Sequence, residues 1–220
     1  MMKTRALRVR AVFCRALDQP SIVTELQRFR KRLFVDHSGW ALQTDGDLEV
    51  DQFDRPETSH CALYVDEVLV GGFRAIRTDC TYIGQAVFPH LATIREYPRR
   101  HDAWEISRFG ILPEFASEEL ARLNYGLMFL FAETRRATAL VAITDLIYER
   151  YLRSIGIRTR RYGPPQVIGT DRFGRELRCV AGEIPLADQG ASRITPLLAL
   201  TDSIEVYDAT LVRRSTAISA

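Results

Sequence analysis

The sequence contains few lysines, no paired cysteines and no long apolar run. Its only lysines are Lys3 and Lys31, so arginine supplies nearly all of the positive charge. The 30 Lys and Arg residues against 28 Asp and Glu residues give a formal net charge of +2, which does not favour a nucleic acid or an anionic membrane as partner. With 46% hydrophobic and 26% charged residues over a length of 220, the composition excludes a disordered or coiled-coil protein and is typical of a globular one.

The cysteine spacing and the N-terminal segment exclude other classes. The four cysteines are widely separated and form no CxxC pair, which predicts reduced thiols and no metal site. Residues 1–17 carry charges inside their apolar stretch and lack a small-residue cleavage site, unlike a secretory signal. The longest apolar run, 125–132, is far shorter than the roughly 20 residues that cross a bilayer. We therefore expect a cytoplasmic protein that does not bind membranes.

Hydrophobic periodicity predicts a mixed α/β protein. β-rich runs alternate with segments of helical spacing, and Asp66 with Glu67 forms a plausible hairpin turn. Ser117 is predicted to cap the central apolar helix. The predicted strands span 6–13, 61–65, 68–76, 104–112, 139–143, 157–162, 167–169 and 176–183, and the predicted helices span 21–35, 85–95, 117–137 and 145–154. We expect a single domain over 1–220 with a core of about 6–186.

The C-terminal residues 187–220 carry a weaker pattern and are interpreted as an extension of this core. Their apolar stretch, Leu197 to Leu200, would add an edge element to the sheet or form an oligomer contact. The oligomeric state stays open.

The polar segment 36–59 shows almost no apolar periodicity. A structureless segment of this length within a compact domain is usually functional, so we expect it to fold over a ligand. It contains the acidic stretch Glu49-Val-Asp51-Gln-Phe-Asp54. Arg74 and Arg108 interrupt β-rich runs, where a buried charge needs a partner. These charges would balance one another, either as a structural network or as a cleft that holds the ammonium and carboxylate groups of an amino acid.

A series of motifs resembles the acyl-homoserine-lactone synthases, which make quorum-sensing autoinducers. In chain order the motifs are Arg30-x3-Phe34-x5-Trp40, the acidic stretch, Gly71-Gly72-Phe-Arg74, Phe88-Pro89 and Trp104-Glu105-Ile-Ser107-Arg108-Phe109. The resemblance covers about 6–186. It implies a mixed, mainly antiparallel twisted sheet flanked by helices, similar to the fold of the GNAT acyltransferases, with splayed central strands that admit a thioester arm.

The resemblance implies an acyltransferase without a metal or a cofactor. The family joins an acyl chain from a thioester to the α-amine of S-adenosylmethionine, then closes the lactone and releases methylthioadenosine. The sequence has no Gln/Arg-x-x-Gly-x-Gly/Ala loop before the helix capped by Ser117, where a GNAT enzyme holds the pyrophosphate of coenzyme A. This departure favours an acyl carrier protein as the donor.

The resemblance also implies roles for the matching residues. Glu105 is the leading candidate for the base that accepts the proton of the amine, and Asp51 is the alternative. The electrostatic frame around them would consist of Asp54, Arg74 and Arg108. The wall of the S-adenosylmethionine site would consist of Arg30, Phe34 and Trp40, with the aromatic rings against the sulfonium or adenine and the arginine against a carboxylate.

The acyl and donor sites are expected further along the chain. The acyl pocket would lie against the helix capped by Ser117, and its lining would consist of Leu127, Met128, Phe131, Ile143 and Thr144. Thr144 would meet a 3-oxo group or simply end its strand. Arg150 and Arg153, with the arginines at 158, 160 and 161, would either steer an acidic carrier protein or form a solvated helix face.

One geometric requirement follows from the site assignment. Residues three apart in a regular strand face opposite sides of a sheet, so Glu105 and Arg108 would not point into one cleft. We therefore predict a β-bulge or bend near Ile106 and Ser107.

Other functions stay open at this point. One is a GNAT-like N-acyltransferase that acylates a different amine and forms no lactone, and another is use of a coenzyme A thioester as donor. A non-catalytic sensor of acyl chains or S-adenosylmethionine is a third, although the acidic and arginine set argues against it. The acidic loop and the near-neutral charge also argue against a nucleic-acid-binding module.

Overall fold

The structure, a computed structural model, describes residues 7–211. Its strands are β1 (Val9–Arg15), β2 (Thr44–Asp45), β3 (Leu48–Glu49), β4 (Ser59–Val65), β5 (Val68–Arg77), β6 (Ala103–Ile111), β7 (Ala139–Asp145), β8 (Arg160–Arg161), β9 (Gln166–Thr170), β10 (Glu176–Pro185) and β11 (Glu205–Asp208). Its α-helices are α1 (Pro20–Arg30), α2 (Ile83–Val87), α3 (Glu118–Thr134), α4 (Leu146–Ser154) and α5 (Ala191–Thr201). Residue 6 of the first predicted strand and residues 212–220 of the predicted extension lie outside the described residues.

Within residues 7–211 the main sheet has nine strands and is mainly antiparallel. Its order is β11–β1–β4–β5–β6–β7–β10–β8, and β9 also pairs with β10. Two pairs in this sheet, β1 with β11 and β6 with β7, are parallel. The structure therefore confirms the predicted mixed sheet with helices packed on it.

The hairpin between β4 and β5 forms without a glycine in its turn. Asp66 and Glu67 have φ angles of 46° and 66°. Two-residue hairpin turns of this kind need positive φ at both central residues, because that twist matches the twist of the strands. The predicted hairpin is confirmed.

The parallel strands β6 and β7 diverge shortly after they meet. They pair from Ala103 opposite Ala139 to Glu105 opposite Val141, where the register ends. Beyond that point β6 stays paired with β5 up to Ile111, while β7 stays paired with β10. A gap therefore opens in the middle of the sheet immediately after Glu105, as expected from the similarity to the GNAT acyltransferases.

The helices cover both faces of the sheet. α3 and α5 pack on one face, where Leu127, Phe131 and Leu197 join a core with Phe13 and Phe73. α1 packs on the other face, beside β1 and β4. A smaller apolar cluster lies on this second face, farther along the sheet, and contains Phe53, Ile76, Tyr82, Leu91, Val141, Tyr162 and Ala181. We call the two sides the α3 face and the α1 face.

Three predicted elements differ from the structure. The helix predicted over 85–95 is only α2, followed by a 3₁₀ turn at Pro89–Leu91, because proline disfavours helical geometry at the residue before it. The helix predicted over 21–35 is α1, which continues as a π-helical segment over Lys31–His37. The strand predicted over 157–162 is reduced to β8.

The described part of the C-terminal extension, residues 187–211, packs on the rest of the fold. Leu197, in α5, is buried against α3, and a Cβ on Gly126 would lie 2.3 Å from its carbonyl oxygen. The added edge strand is β11, which follows this apolar stretch and pairs with β1. An edge element was one of the two predicted roles, although a different segment provides it.

Candidate active site

Arg30 lies at the C-terminal end of α1 and binds the acidic loop. Its Nε is 2.5 Å from Glu49 Oε2, and its two terminal nitrogens lie 2.7 and 2.6 Å from the carboxylate oxygens of Asp54. Nη2 also donates to the carbonyl oxygen of Glu49. The guanidinium is 2% exposed and most of its donors are used, so it has little capacity to hold a substrate carboxylate. Its predicted place in the substrate wall stays untested, and this geometry favours an indirect role.

Arg74 and Arg108 complete a buried ionic cluster. Arg74 Nη1 is 2.6 Å from Asp51 and 2.9 Å from Asp54. Arg108 binds Glu49 at 2.8 Å and Asp51 at 3.0 Å. The cluster consists of Arg30, Arg74, Arg108, Glu49, Asp51 and Asp54, and its positive and negative charges balance. The structure therefore brings together the predicted charged residues of α1, the acidic loop, β5 and β6.

A bulge in β6 turns Arg108 toward this cluster. Arg74 lies opposite Ser107 and Gly72 lies opposite Gly110, so β6 holds one more residue than β5 between these pairs. Arg108 itself has a φ of 53°, a left-handed conformation that is strained for a residue with a side chain. The predicted bulge is present, just after the predicted position. It lets Arg108 reach the α1 face, where Arg74 and Glu105 also lie.

Only one edge of the ionic cluster is accessible. Arg74 and Glu49 are fully buried, whereas the side chains of Asp51 and Arg108 are 12% and 10% exposed. The Nε and Nη2 atoms of Arg108 bind Glu49 and Asp51, and its Nη1 has no hydrogen-bond partner among residues 7–211. A polar substrate would therefore meet the cluster at Asp51 and Arg108.

The arginines keep the acidic loop ionised. Burial opposes the ionisation of Asp51, but hydrogen bonds and charge from Arg74 outweigh it and hold the pKa of Asp51 below its ordinary value. Asp54 likewise has a pKa well below its ordinary value, because Arg30 and Arg74 outweigh its burial. His60, opposite Arg74 on β4, has its pKa lowered to about 3 by burial and by the charge of Arg30. His60 is therefore neutral, and its buried Nε2 has no partner within the described chain.

Glu105 lies at the apex of the gap between β6 and β7, apart from the ionic cluster. It is 1% exposed and forms no ion pair with an arginine among residues 7–211. Its carboxylate accepts hydrogen bonds from the backbone N–H groups of Ile83, at 2.9 Å, and Gly84, at 2.7 Å. Burial raises the pKa of Glu105 to about 7, although these amides and the charges of Arg74 and Arg108 oppose the shift. A carboxylate with this pKa suits a general base at neutral pH.

Phe34 and Trp40 form a stacked aromatic pair on the α1 face. Their ring centroids are 5.0 Å apart with an interplanar angle of 27°. Phe34 is buried in the π-helical segment, and Trp40 is half-buried at the start of the acidic loop. The structure thus places the two predicted aromatic residues together, while their contact with a substrate stays a prediction.

The predicted acyl-pocket residues lie on two faces of the sheet. Leu127, Met128 and Phe131 are buried on the α3 face. Ile143 packs instead against the apolar cluster of the α1 face. Successive strand residues alternate between faces, so Thr144 lies on the α3 side and Ile143 does not. The five residues therefore do not share one face of the sheet, and their role in lining an acyl pocket stays a prediction.

Aromatic residues from three elements lie beside the gap on the α3 face. Tyr125 of α3 packs against Phe109 of β6 at 4.6 Å and against Tyr151 of α4 at 5.5 Å between ring centroids. Neither Tyr125 nor Tyr151 was predicted at the site, because nothing in their spacing distinguishes them from ordinary core residues. Glu49 and Ser107 join the site without a predicted role, although both stand in the motifs that carry the resemblance. The hydroxyl of Ser107 accepts a hydrogen bond from Arg74.

The predicted donor-docking residues lie on the exposed surface of α4. Neither Arg150 nor Arg153 has a carboxylate partner within ion-pair distance in the part of the chain that the structure describes, whereas Arg160 and Arg161 pair with Asp188 and Glu149. α4 begins where β7 ends, at the open end of the gap. The basic surface is therefore smaller than the sequence suggested, and it lies at the mouth of the gap.

No group of three or more His, Cys, Asp or Glu side chains within residues 7–211 is arranged to hold a metal ion. No helix in the same residues is both long and apolar enough to cross a bilayer.

The family of the protein follows from its similarity to known proteins. A model of the autoinducer synthase family matches residues 15–188. The chain belongs to this family. An acyl-homoserine-lactone synthase of Aeromonas hydrophila is 31% identical over 153 residues, which cover 67% of this chain and 74% of the relative. The protein is therefore an acyltransferase of the acyl-homoserine-lactone synthase type.

Solved structures share the fold. The synthase TofI, in a ternary complex with an inhibitor and MTA, is 31% identical with a TM-score of 0.70, covering 87% of this chain and 99% of that chain. The CoA-dependent acyl-homoserine lactone synthase BjaI with MTA is 19% identical with a TM-score of 0.79, covering 92% and 93%. A putative N-acetyltransferase from Lactobacillus plantarum is 14% identical with a TM-score of 0.53, covering 81% and 99%. The last two show the fold alone and confirm its GNAT-like character.

Proposed function

We propose that the protein transfers an acyl chain from an acyl carrier protein thioester to the α-amine of S-adenosylmethionine. The acylated product then closes to an acyl-homoserine lactone with release of methylthioadenosine, in the cytoplasm. The observation that carries the proposal is the gap between β6 and β7, which opens at Glu105 beside the accessible edge of the ionic cluster. A thioester arm in this gap would place its carbonyl carbon near both groups.

The ionic cluster would orient S-adenosylmethionine. The ammonium would meet the Asp51 carboxylate, and the free Nη1 of Arg108 would meet the carboxylate of the substrate. Arg30, Arg74 and Asp54 would hold these two groups in place, since all three are buried behind them. The stacked pair Phe34 and Trp40 would face the sulfonium or the adenine.

Glu105 would act as the base of the acylation step. The amine attacks the thioester only after it loses a proton, which Glu105 accepts directly or through one water molecule. Asp51 is less suited to this role because Arg74 holds its pKa low. A strand N–H beside the gap would stabilise the oxyanion of the tetrahedral intermediate.

Lactone closure would depend mainly on positioning. The carboxylate of the acylated substrate attacks its own γ-carbon and breaks the bond to the sulfonium sulfur, which leaves as methylthioadenosine. Since the reaction is intramolecular and the leaving group is neutral once expelled, holding the carboxylate in line supplies most of the acceleration. Arg108 would hold one oxygen of this carboxylate by a hydrogen bond and leave the other oxygen free to attack.

The reaction is tested by incubating the purified protein with S-adenosylmethionine and a panel of carrier-protein and coenzyme A thioesters. We expect a lactone together with methylthioadenosine, both detected by mass spectrometry. An acylated amine without methylthioadenosine would instead identify an N-acyltransferase of another substrate. No turnover with any donor would contradict the proposal.

The donor could also be a coenzyme A thioester, because the structurally similar BjaI is described as CoA-dependent. The thioester panel distinguishes the two donors, and charge reversal of the exposed Arg150 and Arg153 tests whether they dock the carrier protein. With Arg150→Glu and Arg153→Glu we expect the apparent KM for the carrier protein to rise several-fold, while that for S-adenosylmethionine stays constant. Arg136→Glu is the control, because Arg136 is exposed just before β7, at the opposite end of this strand from α4, and has no carboxylate partner within ion-pair distance among residues 7–211.

A further inference from the structure

Two backbone amides hold the carboxylate of Glu105. Ile83 and Gly84 are the first two residues of α2, so their N–H groups have no acceptor within the helix. Each donates to a different oxygen of Glu105, at 2.9 and 2.7 Å. This two-point contact fixes both the position and the plane of the carboxylate.

We propose that the amides of Ile83 and Gly84 form a positioning clamp that keeps Glu105 ionisable at the apex of the gap. The proposal rests on the proposed function, in which Glu105 is the base. The surrounding groups require such a clamp, because Tyr82 and Tyr97 pack around the site and the nearest arginines bind other carboxylates. Without the amides, a carboxylate in this apolar enclosure would stay protonated and would not accept a proton from the substrate.

The surroundings of the clamp leave little room for movement. A Cβ added to Gly84 would lie 2.9 Å from Tyr97 Cε1 and 3.3 Å from Glu105 Oε1. The hydroxyl group of Tyr82 is held by the carbonyl oxygen of Pro98, and that of Tyr97 by the carbonyl oxygen of Phe88. The charged groups that act on Glu105 are Arg74 of β5 and Arg108 of β6, both committed to the ionic cluster. The position of Glu105 is therefore set by α2 and not by an ion pair.

Ile83→Pro removes one donor of the clamp with little disturbance of the helix. Proline is favoured at the first helical position because its missing N–H has no helical partner there. Tyr82, which would precede it, already has the extended conformation that proline requires, with φ −135° and ψ 170°. Ile83→Val is the matched control, since it also shortens the side chain but keeps the amide.

The readout is the pH profile of kcat/KM for S-adenosylmethionine. Loss of the amide raises the pKa of the base, so we expect the acid limb of Ile83→Pro to move upward by about one pH unit relative to Ile83→Val. Activity at pH 6 would fall roughly tenfold and would recover toward the control at pH 9. An acid limb at the same pH in both variants would overturn the clamp.

A second variant covers the case in which Ile83→Pro does not fold. Gly84→Ala keeps both amides but pushes the carboxylate away from them, so kcat should fall at unchanged KM and the acid limb should again move upward. Wild-type kinetics of Gly84→Ala would contradict the clamp. Failure of the proposed function is recognised separately, since the wild-type protein would then make no lactone, or Glu105→Gln would retain full activity.

Discussion

Two groups of acidic side chains lie on the same side of the sheet and have opposite pKa shifts. Asp51 and Asp54 are surrounded by arginines, which hold their pKa values below the ordinary range despite burial. Glu105 is buried more deeply and has two amides and no arginine partner among residues 7–211, and its pKa rises to about 7. The comparison teaches that burial alone does not decide protonation. The partner decides whether a carboxylate serves as a fixed charge or as a base.

The largest expected effect comes from removing the base. Glu105→Gln keeps the size of the side chain but cannot accept the proton, so kcat for lactone formation should fall by about 10²–10⁴-fold. Steady-state kinetics with S-adenosylmethionine and the preferred thioester would measure it. The KM for S-adenosylmethionine should change little, because the ionic cluster is untouched. Retention of wild-type kcat would remove Glu105 from the mechanism.

Removing a central arginine should show that the ionic cluster is structural as well as functional. Arg74→Met removes the bidentate partner of Asp51 and one of the two arginines that bind Asp54 in a buried place, which should lower the free energy of unfolding by about 3–5 kcal/mol. Urea denaturation at pH 7 would measure the loss. Arg10→Met is the matched control, since Arg10 pairs with Glu67 at the surface and should cost at most about 1 kcal/mol. Equal losses in the two variants would contradict the distinction.

The charged residues of the site could be predicted from the sequence, whereas most of their contacts could not. The charged motifs predicted that Arg74, Arg108 and the acidic loop meet, because buried strand charges need partners. The bulge at Arg108 was also predictable, since alternation alone would have separated it from Glu105. The contact between Glu105 and the amides of Ile83 and Gly84 was not predictable from the sequence. Nearly every residue carries a backbone N–H, and only the fold shows which of these groups lack an acceptor.

Strand alternation also limited the prediction of the acyl pocket. Ile143 and Thr144 are adjacent in β7, and a lining that includes both is possible only where the strand is irregular. The divergence of β6 from β7 follows from pairing that ends at Glu105, which is a property of two distant segments and leaves no local pattern. The aromatic contacts of Tyr125 likewise depend on the packing of α3 against α4.

The opposite pKa shifts predict opposite slopes of stability against pH. Between pH 4.5, the ordinary pKa of a glutamate, and about pH 7, Glu105 binds more protons in the folded state than in the unfolded state. Its contribution to the free energy of unfolding therefore falls as the pH rises through this range. The difference between wild type and Glu105→Gln should change by about 3 kcal/mol at most over that range. Urea denaturation at several pH values would measure it, and a constant difference would contradict the raised pKa. Asp51 and Asp54 have the opposite dependence on pH. Their contribution to the free energy of unfolding is fully present above pH 3.8 and is lost as the pH falls below this value.

The smallest expected effect is that of Asp51→Asn, which distinguishes Asp51 from Glu105 as the base. Asp51→Asn removes one charge at the accessible edge of the cluster but leaves Glu105 and its amides in place. Because Asp51 would hold the substrate ammonium without accepting its proton, KM for S-adenosylmethionine should rise by up to about tenfold while kcat changes less. The acid limb of the kcat profile should stay at the wild-type pH, since it belongs to Glu105. If Asp51→Asn lost the acid limb while Glu105→Gln kept it, the two roles would be reversed. Asp51 would then be the base, and Glu105 would not.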